Sequence, residues 1–396
     1  IMCWTASPEI RNCRFIGTDA ALGGGGICAY QNSHPHIENC DFRDTVADNL
    51  FSGGGAGVYC YAGSGGTIIG CKFFNGTALD GGGVKAESAS HPTISDCTFH
   101  ANTSNGSGGG FCAELNSNPT IINCLFTENN SNSDGGAFHI YDNSAPIVQG
   151  CTFINNVSRH DGGAVCNYTD ADTFFADCIF VNNEATWIGG CGAISSWADM
   201  TLVNCYFEGN FVSTDPQYDA DGGALCLRNG TTEIDNCAFV DNRSNNHGGS
   251  FYISSGNHTI RNCTVAGNQK GATGNGEGTF VTGGAELNIF NSVLWNSAEP
   301  NQEIYVDSGN VTVNHTDIQG GWTGSGGDNY NQDPGFTAGP YGTYHLGDTS
   351  ICLDAGNDTA ANTCFNLPSG QVCMSERSTQ SSLLMDSGTV DLGYHY

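Results

Sequence analysis

Basic residues are the scarcest class in this chain. Lys and Arg number 11 against 40 Asp and Glu over 396 residues, a net charge of -29. With so few cations to neutralise phosphates, a nucleic-acid binder is excluded, and so is a polybasic membrane anchor. No run of about 18 apolar residues occurs, so no helix of this chain inserts into a bilayer. Pro stands at only 10 and helix formers are few, whereas Gly reaches 57 and Asn, Thr and Ser abound. That balance favours strands and turns. A hydrophobic share of 38% with 21 Phe is too rich for a disordered acidic tail.

The apolar residues recur at a fixed interval. Asn-Cys-x-Phe stands at Asn12–Phe15, Asn39–Phe42, Asn123–Phe126, Asn204–Phe207 and Asn236–Phe239. Looser copies carry Cys71, Cys97, Cys151, Cys178 and Cys263, and Ser292 and Thr316 hold the same place in degenerate ones. From Cys13 to Thr316 the spacings are 27, 31, 26, 27, 27, 27, 27, 32, 26, 29 and 24. The two long intervals mark surface insertions around Asn49–Gly57 and Phe211–Ala220. Twelve copies of one unit therefore fill residues 1–320.

Within each unit, strand periodicity puts the Cys and the residue two later on one face. That second column is Phe in nine units, then Val265, Leu294 and Ile318, which predicts a continuous buried stack. The residue before the Cys is always Asn, Asp, Gly or His, the types that best tolerate positive φ, so a tight corner is expected there. Three residues past the Phe column, Asn102, Asn129, Asn156, Asn183, Asn210, Asn242 and Asn268 align. Their amides are expected to hydrogen-bond up and down the column. A second strand follows a Gly-Gly pair. Its first large residue (Ile27, Tyr59, Val84, Phe111, Phe138, Val165) is expected inward. The next (Cys28, Cys60, Lys85, Cys112, His139, Cys166) varies freely and is expected outward, as is the position two further on (Tyr30, Ala62, Glu87, Glu114, Tyr141, Tyr168, Trp197).

A period near 27 with no helical segment predicts an all-β fold: a right-handed parallel β-helix solenoid of about 12 coils. Residues 321–396 break the repeat and form a second, irregular segment expected to cap the last coil. The pairs Gly162-Gly163-Ala164-Val165 with Phe153-x-x-Asn156, and Gly222-Gly223-Ala224-Leu225 with Phe207-x-x-Asn210, resemble the repeats of the chlamydial polymorphic outer-membrane proteins. More broadly they are similar to large secreted bacterial β-helix proteins of the pectin-lyase-like kind. That resemblance implies an exported, surface-associated passenger; this sequence departs from the family in showing no signature of the C-terminal membrane barrel, so self-transport is not expected of it. Repeats of this kind serve adhesins, surface layers and some polysaccharide enzymes alike.

Several residues are candidates for chemistry. Tyr141, Tyr168 and Trp197 sit at equivalent outward positions on three consecutive coils with His139 beside them. They can stack on sugar rings or on a second subunit, or pack on one another across coils. Asp80, Asp134, Asp161 and Asp221 precede Gly-Gly pairs, where an Asp caps the turn. The insertion bearing Asp215, Asp219 and Asp221 is the place where Ca2+ would be held. The core-facing Cys column reads as small hydrophobes. Cys3, Cys28 and Cys60 read as outward and able to pair in part, and Cys352, Cys364 and Cys373 are the disulfide candidates of the loop-rich end. Glu87 and Glu114 lie outward on neighbouring coils, as a carboxylate pair or a solvated surface.

The reading that follows is an extracellular, cell-surface protein without catalysis, structural or adhesive, assembling with copies of itself into an oligomer or filament. Residue 1 begins mid-coil, which fits a processed fragment or a first coil that meets another subunit. A polysaccharide lyase or hydrolase, and a monomeric glycan-binding module, are the alternatives.

Overall fold

A computed structural model describes residues 1–20, 23–47, 54–168, 170–187, 190–213, 221–297, 299, 302–340, 342–368 and 370–396. The chain divides into two compact units, residues 1–200 with 210–220, and residues 201–209 with 221–396. Both repeat the same coil: a strand after the Gly-Gly pair, a turn, a strand ending at the Asn-Cys corner, and the strand carrying the Phe column. In the first unit a two-residue strand follows (Thr77–Ala78, Thr103–Ser104 and their equivalents) before the next Gly-Gly. Each strand pairs in parallel with its counterpart one coil away, as Phe73 with Phe42 and Phe99 do. Among the described residues the Gly-Gly strand and the Phe strand each recur 12 times along the sequence.

The corner needs a left-handed residue, and all twelve predicted positions have positive φ, from Asn12 at 54° and Gly70 at 60° to His315 at 47°. Turning there aims the Phe column inward. Rings from Phe15 to Phe180 stack at 4.5–5.0 Å between successive centroids and within 12° of parallel. In the second unit Phe207 and Phe239 stack at 4.6 Å. Offset stacking of this kind adds to what burial alone supplies.

The Cys column does more than fill space. Cys71 Sγ accepts the Cys40 amide at 3.4 Å and Cys97 Sγ accepts the Cys71 amide at 3.3 Å. Each thiol points back to the carbonyl two residues earlier, Cys97 to Ser95 at 3.2 Å. Ser292 does the same with its hydroxyl, taking the Cys263 amide at 3.2 Å and donating to Phe290 O at 2.7 Å. The corner residue's own amide stays in the ladder, as Asn39 N does with Ile69 O at 2.9 Å, and the amide of the Cys that follows is taken by the small side chain one coil on. The Asn column is fully wired as well. Asn129 donates its backbone and side-chain amides to Asn156 Oδ1 (3.0 and 2.9 Å) and its second side-chain hydrogen to Phe99 O (3.0 Å).

The Gly-Gly strand corrects the sequence reading. The register pairs Val58 with Ile27 and Val84, so Val58 is the inward residue and Tyr59 lies with Cys28 and Lys85. Cys3 and Cys60 fall in the inward column with Ala29, and Cys28 lies on the other face, so the three do not form one outward row. Nor is that row exposed: Cys28, Lys85, Cys112, Cys166 and Cys226 are all at most 6% accessible. The turn before each strand folds back over it. A Cβ at Gly135 (φ 62°) would lie 2.3 Å from Phe138 O, and one at Gly136 would lie 2.2 Å from Gly163 O. Glycine is needed for the chain to press that closely onto its own sheet.

The segment after residue 320 does not only close the last coil. Ser325–Gly327 still pairs with Thr312–Asn314, and the chain then runs back along the corner column of its own unit. Asn291 exchanges hydrogen bonds with Asn357 (2.9 and 3.1 Å), and Asn236 exchanges them with His395 (2.8 and 2.7 Å). Asn at these corners therefore supplies both the positive φ and a docking group.

Candidate functional site

The position three past the inward residue of the Gly-Gly strand forms a line along the first unit. Parallel register and the adjoining amide bonds align Trp4, Tyr30, Tyr61, Glu87, Glu114, Tyr141, Tyr168 and Trp197, one per coil. The coil rise of about 4.8 Å sets their spacing. Aromatic rings occupy both ends. Trp4 and Tyr30 lie 5.0 Å apart at 59°, and Tyr30 and Tyr61 5.4 Å at 18°. Beyond the carboxylates, Tyr141 meets Tyr168 at 5.5 Å and 74°, and Tyr168 meets Trp197 at 4.8 Å and 26°. Trp4 is 58% exposed and Tyr141 38%, so the line is open to solvent. The sequence places Ala62 third in this line, and the register replaces it with Tyr61.

Between the aromatic ends lies a charged cluster. Lys85 rises from beneath the line, its side chain 7% exposed, and its Nζ contacts Glu114 Oε1, Glu87 Oε2 at 3.2 Å and Asp80 Oδ2 at 3.6 Å. Tyr59 donates to Glu87 Oε2 at 2.7 Å. Burial opposes the Lys85 charge, but neighbouring Cys112 and the carboxylates of Glu114, Asp80 and Glu87 outweigh it and push the ammonium pKa up. Burial likewise pushes the Glu114 carboxyl up, against the pull of Lys85. Glu87 and Glu114 are thus a bridged pair, each side chain about one-fifth exposed, and the solvated-surface reading gives way to a shared site.

His139 is half-buried beside this cluster. Its Nδ1 lies 3.9 Å from Cys112 Sγ and its ring 6.0 Å from that of Tyr141, and burial lowers its pKa. Next to the aromatic line, Asp134, His160, Asp161, Tyr168 and Trp187 wall an open cup of about 340 Å³. Asp134 and Asp161 come from turn positions on successive coils, and Asp134 Oδ1 accepts the Asp161 amide at 3.2 Å, the expected cap. Lys85, Asp80 and this cup were not assembled from the sequence. The signal available was a Lys and a His in a column otherwise filled by small side chains.

The remaining candidates separate. Asp215 and Asp219 lie outside the described residues. Asp221 caps its turn, accepting Asn246 Nδ2 at 3.1 Å and the His247 amide at 3.0 Å. Cys364 and Cys373 are disulfide-bonded, whereas Cys352 remains a buried thiol 3.4 Å from Asp317 Oδ2. In the second unit Asp354, Asp386 and Asp391 bring one oxygen each within 4.8 Å of the others. Their mutual geometry is held by Thr379 on Asp391 (2.6 Å) and His395 on Asp386 (2.8 Å).

Residues 1–185 match the family model described as a right handed beta helix region. With the parallel coils, this defines the chain as a right-handed parallel β-helix. The match covers the line from Trp4 to Tyr168 and names a fold, with no activity attached. No curated protein matches the chain.

Proposed function

We propose that this is an adhesive, surface-exposed protein that binds an extended saccharide chain along the first unit. One observation carries the reading: eight in-register positions, six of them aromatic, run along one open line at one residue per coil. A coil rise of about 4.8 Å is close to the length of one pyranose ring, so successive sugars would meet successive side chains. Tyr and Trp offer the apolar faces on which sugar rings stack, with polar edges for hydroxyls. The acidic balance of the chain disfavours polyanionic glycans. Affinity electrophoresis in gels carrying neutral, acidic or amino polysaccharides tests this. Retardation of the wild type by neutral or amino glycans, lost in Tyr168→Ala/Trp197→Ala, is expected. Equal migration of both proteins in every gel refutes it.

A second reading has its own observation. Glu87 and Glu114 share one ammonium at the middle of the line, flanked by aromatic positions on both sides, so a chain bound along the line would present its interior to a carboxylate pair, the residue type glycoside hydrolysis uses. Release of new reducing ends by the wild type and not by Glu114→Gln would establish catalysis. Their absence across neutral, acidic and amino polysaccharides leaves adhesion.

A further inference from the structure

The cup beside Tyr168 has a composition of its own. Two carboxylates, Asp134 and Asp161, face two aromatic rings, Tyr168 and Trp187, His160 completes the described lining, and among the described residues no Lys or Arg lines it. Asp134 is held in place, its Oδ2 accepting Ser133 Oγ at 2.9 Å and its Oδ1 standing 4.0 Å from His160 Nδ1. Ser195 Oγ donates to Asp161 Oδ1 at 3.4 Å. The Arg159 guanidinium lies over the Trp187 ring at 4.1 Å and is not among the described residues of the lining. Carboxylates and aromatic faces together recognise an organic ammonium: the charge pairs with the oxygens while the attached carbons pack on the rings.

We propose that this cup binds the primary ammonium of an amino sugar in a chain lying along the aromatic line. The inference rests on the saccharide-binding reading and narrows its ligand to an aminoglycan with free amino groups. Tyr168 makes the connection, since it is both a member of the line and a wall of the cup. A sugar stacked there directs a substituent sideways between Asp134 and Asp161. An acetylated amine has lost the charge the two carboxylates answer, and a hydroxyl never carries it. Further along the line, Asp80, Glu87 and Glu114 set three carboxylates against the single Lys85, so the sign of the surface favours the same ligand.

The test uses three hexasaccharides, of glucosamine, of N-acetylglucosamine and of glucose, titrated calorimetrically at mildly acidic pH in low and high salt. Wild type is expected to bind the glucosamine chain about tenfold tighter than the other two, with the margin shrinking in salt. Asp134→Asn/Asp161→Asn keeps an oxygen at each turn cap while removing both charges, and should bring the ratio to about one. Glu233→Gln/Asp328→Asn removes the same charge from carboxylates that are 56% and 79% exposed, and should keep the preference. Thermal melts confirm that each variant is folded. A wild type that binds all three chains equally, or an Asp134→Asn/Asp161→Asn protein that retains the preference, overturns the ammonium cup and leaves the aromatic line standing. A Tyr168→Ala/Trp197→Ala protein that binds every chain as wild type does overturns the line itself.

Discussion

Replacing Asn156 by Ala tests the most specific structural argument, that the Asn column is a hydrogen-bonded ladder and not a set of turn formers. Asn156 Oδ1 is the shared acceptor for the backbone and side-chain amides of Asn129, at 3.0 and 2.9 Å, and both residues are fully buried. Truncation strands two buried donors, each costing about 1–3 kcal/mol, so a loss of about 2–6 kcal/mol is expected. Asn156→Asp separates acceptor from donor. It keeps an oxygen for Asn129 but sets lone pairs against Asn183 Oδ1 and Phe126 O, which now receive Nδ2 at 2.9 and 3.0 Å. Burial and those oxygens raise the pKa of the new carboxyl in the folded state. Its penalty is therefore smallest below the ordinary Asp range and grows as pH rises, whereas the Ala variant shows no such pH dependence. Because coils interact mainly with their neighbours, the damage should be local. Amide exchange should lose protection in strands Leu125–Thr127 and Thr152–Ile154 before strands Arg14–Ile16 and Asp41–Arg43. An unfolding free energy from urea titration within about 0.5 kcal/mol of wild type, with unchanged protection at Asn129, would refute the ladder.

Other perturbations have equally definite outcomes. Burial pushes Glu303 up to about 7, against the amide bonds from Asn296 and Ser297. Its contribution to stability is thus complete below the ordinary Glu range and disappears as pH rises to about 7. Glu303→Gln should remove about 3 kcal/mol of that pH dependence in melts between pH about 4.5 and 7, leaving a smaller slope of the same sign from Asp317, raised to about 6. Lys85→Met leaves Glu114, Glu87 and Asp80 around an apolar group and should cost about 3 kcal/mol, partly recovered by adding Glu114→Gln. Gly136→Ala drives a Cβ to 2.2 Å from the Gly163 carbonyl and should cost more than about 3 kcal/mol. Gly327→Ala, with nothing within 4 Å, should stay within about 0.5 kcal/mol of wild type by chemical denaturation.

Periodicity made the interior legible because the interior is itself periodic. Every residue of the column that holds Asn12 and Asp96 must adopt a positive φ, and only a few side chains do so readily, so the column is visible in one sequence. The Phe stack is legible for the same reason. What the Cys column does was not, since a thiol accepting an amide and a thiol filling space look alike until Ser292 is seen making the same bonds. The assignment of Tyr59 failed on register. The run from Gly53 to Gly57 offers several Gly-Gly alignments, and only pairing with Ile27 and Val84 selects Val58 as the inward residue.

The deeper miss concerns the other face of that strand. A two-residue period tells which side of a sheet a residue occupies, not what lies over that side. Here the preceding turn folds back, close enough that only glycine fits, and converts an outer column into a second interior. Small Cys and Ser side chains are then the undemanding occupants. A Lys or His in the same column, such as Lys85 at 6% accessibility, must bring polar partners with it. The open line two residues further on lies against those partners, which is why Glu87, Glu114 and Tyr59 gather at Lys85. Charge was therefore concentrated beneath the aromatic line by the turn that hides the column. Any β-helix coil whose Gly-Gly turn precedes a large polar residue should, by the same reasoning, mark the place where that face does its chemistry.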